Sequence, residues 1–205
     1  MKKTLRLLAL LLALLLVPLL ACGCSQPQGL NAAPSFQLPE KLQTLENGEP
    51  ALKVYVVDAE QVETMPLEDY LCGVLAGEMR SDWPLEALKA QAILARTFVL
   101  KFMAEKESRY PGADISTDVE EAQAYDAAAV DDRIRRAVAE TRGQVLVSDG
   151  TLIYAWFHAH SGGTTAGAKE GLNWKAAEPG YIKIAPGQES DDAPADAKAW
   201  QASFT

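Results

Sequence analysis

The sequence predicts an α+β fold: a helical pair carrying a candidate catalytic glutamate, packed on a small, mainly antiparallel sheet. Three observations lead there. Residues 66–106 hold two runs with helical apolar spacing, separated by a short polar turn. Residues 51–58 (ALKVYVVD) have the β-branched content and length of a strand. Two apolar runs flank Asp149-Gly150, a dipeptide that supplies the positive φ of a tight hairpin, so 144–158 is expected to form a hairpin within the sheet.

In the first helix Pro66 suits the opening turn, and Glu68 and Asp69 suit its positive end. At about 100° per residue, Leu67, Tyr70, Leu71, Val74 and Leu75 fill one stripe, and Glu78 falls within it. A carboxylate on an apolar face is expected to sit where water is scarce. Desolvation disfavours its charged form, which suits a general acid. Gly73 and Gly77 lie one turn apart in the same helix, each costing roughly 1 kcal/mol relative to alanine. Such a pair calls for close approach by another helix, another stretch of backbone or a sugar.

The segment from Arg80 to Pro84 breaks this helix, and Pro84 with Glu86 starts the next. From Leu85 to Met103 apolar residues occupy most of the circumference, as in a helix at the centre of a core. Arg96 is embedded there. A buried guanidinium needs a carboxylate or several carbonyls, so Arg96 either braces the active site or pins a loop.

Residues 114–125 are polar and read as irregular. Residues 130–141 read as a charged helix with Ile134, Ala137 and Val138 turned inward. The second hairpin strand runs into His158-Ala159-His160-Ser161-Gly162-Gly163-Thr164-Thr165. Gly162 and Gly163 allow a sharp turn with exposed amides, and Ser161 and the threonines add hydroxyls at a strand end, where sites are commonly built. His158 and His160 would share one face of a strand, but two ligands make a poor zinc site. No nucleophile elbow of the GxSxG type is present to support a serine hydrolase.

Several of these stretches together resemble the stage II sporulation protein D (SpoIID) family. EDYLCGVLAGEM followed by WPLEALKAQAILARTFVL is similar to that family's EYLxGVVAxEM and PxEALKAQAVAARTYAL run, and residues 158–165 are similar to its second motif, Y-H-S-x-S-G-G-x-T. The resemblance implies that Glu78 is the catalytic acid of a peptidoglycan lytic transglycosylase. Such an enzyme cleaves the bond between N-acetylmuramic acid and N-acetylglucosamine to a 1,6-anhydro end, preferring strands stripped of stem peptides, in wall remodelling that includes sporulation. It further implies substrate contacts from Arg96 in the family's ART motif, Gln123 and Tyr125 in its Q-x-Y, and His158, Ser161, Gly162 and Gly163 in the second motif. Some members bind metal through a Cys-His-Cys set. Thr117, Glu121 and Ala122 stand at those positions here, so no metal and no cofactor are expected. The alternative the family offers is a non-catalytic, wall-binding relative that enhances a separate amidase.

Residues 1–21 read as a targeting segment: Lys2, Lys3 and Arg6, then an apolar run ending Leu19-Leu20-Ala21-Cys22, similar to a bacterial lipobox. Cys22 is the expected lipidation site, with Cys24 a second choice, which places the protein on the outer face of the cytoplasmic membrane, facing the wall. Residues 22–50 read as a flexible tether and 51–205 as one domain. Trp200 and Phe204 open a new apolar pattern that stops at Thr205, and family members continue beyond this point, so a C-terminal truncation is expected. The chain has 19 Lys and Arg against 28 Asp and Glu, net −9, and losing the three basic leader residues takes this to −12. So acidic a chain is not expected to bind nucleic acid. The expected partners are glycan strands, the membrane through the lipid, and other wall hydrolases. Cys72 reads as a small, partly buried thiol.

Overall fold

The computed structural model describes residues 38–45 and 47–187. The leader, Cys22, Cys24, and Trp200 with Phe204 lie outside the described residues.

Strand β2 (Pro50–Val56) is the centre of a four-stranded sheet. Its alternation buries Leu52 and Val54 and leaves Lys53 outside. β3 (Gln61–Pro66) pairs with it antiparallel along its whole length, from Ala51 opposite Pro66 to Val56 opposite Gln61. On its other edge β2 takes β1 (Gln43–Thr44), antiparallel, and β4 (Ile115–Ser116), parallel. Neither β3 nor β4 is anticipated by the sequence. β3 is polar, and its Val62 is 40% exposed, so backbone pairing rather than burial holds it. β4 is two residues long, too short for a period to show, although both are buried.

Pro66 ends β3 with φ −55° and ψ 141° and leads directly into α1 (Leu67–Glu78). After the Arg80–Pro84 break, α2 (Leu85–Glu105) runs 21 residues through the middle of the core, burying Leu88, Ala92, Ala95 and Val99 completely. The small residues on α2 let α1 and α3 (Asp132–Glu140) pack closely against it, while β4 packs on α2 and β2 on α1. Ile134, Ala137 and Val138 of α3 face inward, as their spacing predicts. None of these helices is long and apolar enough to cross a membrane, and this holds for all described residues.

Asp131 caps α3, its carboxylate accepting from the Ile134 and Arg133 amides at 2.9 Å. The Ile134 N–H, with further help from Ser81 and the Arg133 amide and charge, holds this carboxyl below the ordinary aspartate range. A carboxyl with a depressed folded value adds stability above its unfolded value, and that stability is lost as pH falls through the folded one. Asp131→Ala is therefore expected to lower the melting temperature at pH 7 and to lower it progressively less as pH falls below the ordinary aspartate range, where the parent loses the same contribution. Thermal melts of both proteins across that range check this.

The hairpin forms where Asp149-Gly150 places it, with φ of 50° and 76° at the two residues. It is shorter than expected, β5 (Val147–Ser148) against β6 (Thr151–Leu152), and it makes its own two-stranded sheet instead of joining the first. Helix α2 takes the place of a sheet partner. Arg96 Nη1 donates to the Gln144 carbonyl at 3.1 Å, and the Leu146 amide donates to Thr97 Oγ1 at 3.0 Å. Thr97 Oγ1 in turn donates to the Ile93 carbonyl. The expected strand to His158 stops because the Tyr154 amide turns to the Tyr181 hydroxyl, at 2.8 Å, and the rings of Tyr154 and Trp156 stack on each other. A short helix, α4 (Ala168–Leu172), follows, with its first amides bonded to the Glu178 carboxylate.

Candidate active site

The two glycines of α1 are explained by a strap of backbone, residues 123–126, that crosses the helix. A Cβ on Gly77 would come within 2.6 Å of the Tyr125 amide nitrogen and 2.7 Å of the Ala124 carbonyl carbon, and one on Gly73 would strike the Tyr125 ring. The close approach is thus by backbone and a tyrosine ring, not by a second helix. The Asp126 amide donates to the Gly73 carbonyl at 2.9 Å, and Tyr125 stacks on Tyr70 with ring centres 5.5 Å apart. Tyr70 is fully buried and donates to the Ser116 carbonyl at 2.8 Å, which ties the strap's footing to β4. Burial, with the nearby Tyr125 and Glu121, pushes its phenol far above the ordinary tyrosine range. Asp126 folds the strap's far end by accepting from the Ala128 and Ala129 amides.

Glu78 is the last residue of α1. Its Oε1 accepts the Ala124 N–H of the strap at 2.8 Å. Its Oε2 makes no hydrogen bond among the described residues. The expectation of a carboxylate sealed from water is corrected: Glu78 is half-buried, because Met79 leaves the helix in extended conformation (φ −137°) and no further turn covers it. It borders a cavity of about 330 Å³ lined by residues 76–81 and Ala129. Glu78 is the only carboxylate among those lining residues. The one cation, Arg80, is paired with Asp82 at 2.5 Å. A second cavity, of about 480 Å³, takes Tyr125 and Asp126 into its wall together with Asp58, Thr117 and Asp118.

The other site residues expected from the sequence divide into two sets. Gln123 and Tyr125 belong to the strap beside Glu78. Gln123 is 3% exposed with neither amide atom bonded, whereas half-buried Tyr125 is among the residues lining the second cavity. Arg96 is 1% exposed and contacts no cavity near Glu78. It is bidentate to Glu68, at 3.0 and 2.6 Å, with the Gln144 and Val138 carbonyls taking further donors. That corrects a direct substrate contact by Arg96: four of its five N–H donors join α2 to α1, α3 and the start of the hairpin.

His158, Ser161, Gly162 and Gly163 are not among the residues lining either cavity at the strap. Their turn instead meets the chain at 183–187, where the Thr165 amide donates to the Ala185 carbonyl and the Gly187 amide to the Gly163 carbonyl. Glu121 accepts from the Ser108 hydroxyl and from the Arg109 amide and so holds that loop. No group of three His, Cys, Asp or Glu among the described residues is placed to hold a metal ion. Cys72 is a free, buried thiol, raised above its ordinary range by that burial. Sequence reasoning missed the Ala124 amide, whose only trace is the glycine pair opposite it. It also missed Glu68 as the partner of Arg96, which the demand for a buried counter-charge could have found.

Residues 55–147 match the family model for SpoIID, stage II sporulation protein. Stage II sporulation protein D of Bacillus amyloliquefaciens is 33% identical over 193 residues, covering 83% of this chain and 55% of that protein. Its namesake in Bacillus subtilis strain 168 is 32% identical over 154 residues, covering 69% and 44%. The amidase enhancer of the same organism is 35% identical over 112 residues, covering 55% and 14%. The chain thus spans about half the length of the stage II sporulation proteins it matches. The matched stretch contains Glu78, its strap and the Arg96 brace, and residues 55–147 are on that match a SpoIID-family region.

Proposed function

We propose that this protein is a lytic transglycosylase of peptidoglycan that uses Glu78 as its single acid and base. The observation that carries the reading is a carboxylate at the open end of α1, one oxygen fixed by the Ala124 amide and no second carboxylate among the described residues of the cavity wall. With Oε1 committed as an acceptor, the transferable proton sits on Oε2. Glu78 gives it to the glycosidic oxygen between N-acetylmuramic acid and N-acetylglucosamine as that bond breaks. The carboxylate then takes the proton from the muramic 6-hydroxyl as its oxygen closes on the anomeric carbon. Protons balance, water is not consumed, and the product ends in a 1,6-anhydro ring. Hydrolysis by two flanking carboxylates is the contrasting scheme, and no second carboxylate is among the described residues of this wall. Tyr125 lines the adjoining cavity, where a neighbouring sugar would lie.

The same reading places the protein outside the cytoplasmic membrane, held by lipid on Cys22, working on peptide-stripped strands during wall remodelling such as that of sporulation. A second reading is favoured by the position of the 158–163 turn away from the Glu78 cavity and by the amidase enhancer among the relatives: a wall-binding module that stimulates another hydrolase. Mass spectrometry of peptide-free strands incubated with the parent and with Glu78→Gln separates the two. Anhydro-ended fragments made by the parent and reduced at least about a hundredfold in the variant are expected. Reducing ends would mean hydrolysis. Intact strands with folded protein would favour the enhancer.

A further inference from the structure

Beyond the hairpin strand pair the chain builds a third cavity, which the Glu78 site does not use. Tyr154 and Trp156 stack with ring centres 5.1 Å apart and planes 9° from parallel, and Trp174 meets both edge-on at 4.9 Å. Together with Phe98, Phe102 and Ala155 they wall a cavity of about 160 Å³, small enough to take one ring. The charged groups around it are organised. Tyr154 Oη donates to Glu105 Oε2 at 2.9 Å, Lys101 pairs with Glu105 at 2.6 Å, and Lys101 Nζ lies 4.4 Å from the centre of the Tyr154 ring. Glu105 is thereby occupied from two sides. Burial first, and this carboxylate second, push the Tyr154 phenol above its ordinary range. Lys106 completes the rim, its ammonium over Phe102.

The balance of this rim sets it apart: two lysines against one glutamate, on a chain whose net charge is −9. Aromatic faces with a few polar groups at the edge suit the flat, C–H-bearing face of a pyranose. A surplus cation suits a sugar that carries a carboxylate. We propose that the Tyr154–Trp156–Trp174 cavity is a binding subsite, separate from the Glu78 site, for one acidic amino sugar of a glycan strand. Trp156 and Trp174 pack on the ring and Lys106 meets its lactyl carboxylate. The identity of the strand rests on the function proposed above; the aromatic cavity and its charge do not.

The test uses the full chain carrying Glu78→Gln, so that no strand is consumed, and measures affinity by calorimetry. One probe is peptide-stripped peptidoglycan strand, which bears lactyl carboxylates, and the other is the neutral tetramer of N-acetylglucosamine. Trp156→Ala is expected to weaken both probes by about tenfold or more. Lys106→Glu, an exposed change that leaves the packing intact, is expected to weaken the acidic strand and spare the neutral tetramer. Both variants binding both probes as the parent does would overturn the subsite, as would a parent that binds neither. Glycan binding lost with Trp156, in a protein whose Glu78 form cleaves nothing, would support the subsite while sinking the lytic reading. Tryptophan emission that no glycan perturbs would assign the cavity to the protein's own packing and overturn the proposal.

Discussion

Gly77→Ala is expected to disable the protein more thoroughly than any other single methyl group could. The added carbon would press on the Tyr125 amide nitrogen at 2.6 Å and on the Ala124 carbonyl at 2.7–2.9 Å. All three atoms are backbone, so no rotamer change relieves the contact. Overpacking of this kind costs about 1–3 kcal/mol, against which alanine recovers about 1 kcal/mol of helix propensity. The remainder is best relieved by lifting the strap, and that removes the Ala124 N–H from Glu78. Strand cleavage is then expected to fall by two orders of magnitude or about that, while urea denaturation shows only a modest loss of stability. Gly73→Ala is the control. Its methyl meets the ring of Tyr125, a side chain that can swing away, so the strap stays seated and cleavage falls less. Equal losses from the two variants would remove the strap from the mechanism.

Glu68→Ala is expected to be the most destabilising change at any charged position described. It leaves the Arg96 guanidinium 1% exposed with only the Gln144 and Val138 carbonyls for partners. Removing one member of a buried pair costs about 3–5 kcal/mol, a large share of the stability of a domain this size. Denaturant midpoints measure it. Adding Arg96→Met to Glu68→Ala is expected to restore much of the loss, because the stranded charge is gone even though the link to the hairpin is not. A double variant as unstable as the single would show that the carbonyl contacts, not the ion pair, hold this corner.

The sequence made the helices legible because their signals are local. The 3.6-residue spacing of Leu67, Tyr70, Leu71 and Val74 fixes a face, and Pro66 and Pro84 fix the starts. Asp149-Gly150 fixed the turn for the same reason. The extents of the strands were less legible, since β3 is polar and β4 is two residues long, and both exist through pairing with β2 that no local pattern encodes. Glu78 could be named from its stripe and motif, but its exposure depends on where Met79 leaves the helix. The amide that holds it belongs to a residue 46 positions away, and an alanine there carries no chemical label of its own. The glycines were the one trace of that crossing. They announced a close neighbour without saying which.

The Thr97 hydroxyl joins two parts of the fold in a way that bears on the order in which they can form. It accepts from the Leu146 amide and donates to the Ile93 carbonyl, one turn back along α2, while Arg96 next to it holds the Gln144 carbonyl. A strand ordinarily finds its alignment from a neighbouring strand. This one finds it from a helix surface, at two consecutive side chains that point the right way only once α2 is wound. The Leu146 amide should therefore exchange its hydrogen on the timescale of the helical core, although it lies at the start of a two-residue ladder that could not protect it alone. The hairpin is in effect a cast taken from α2, and the aromatic run after it starts from wherever that cast sets.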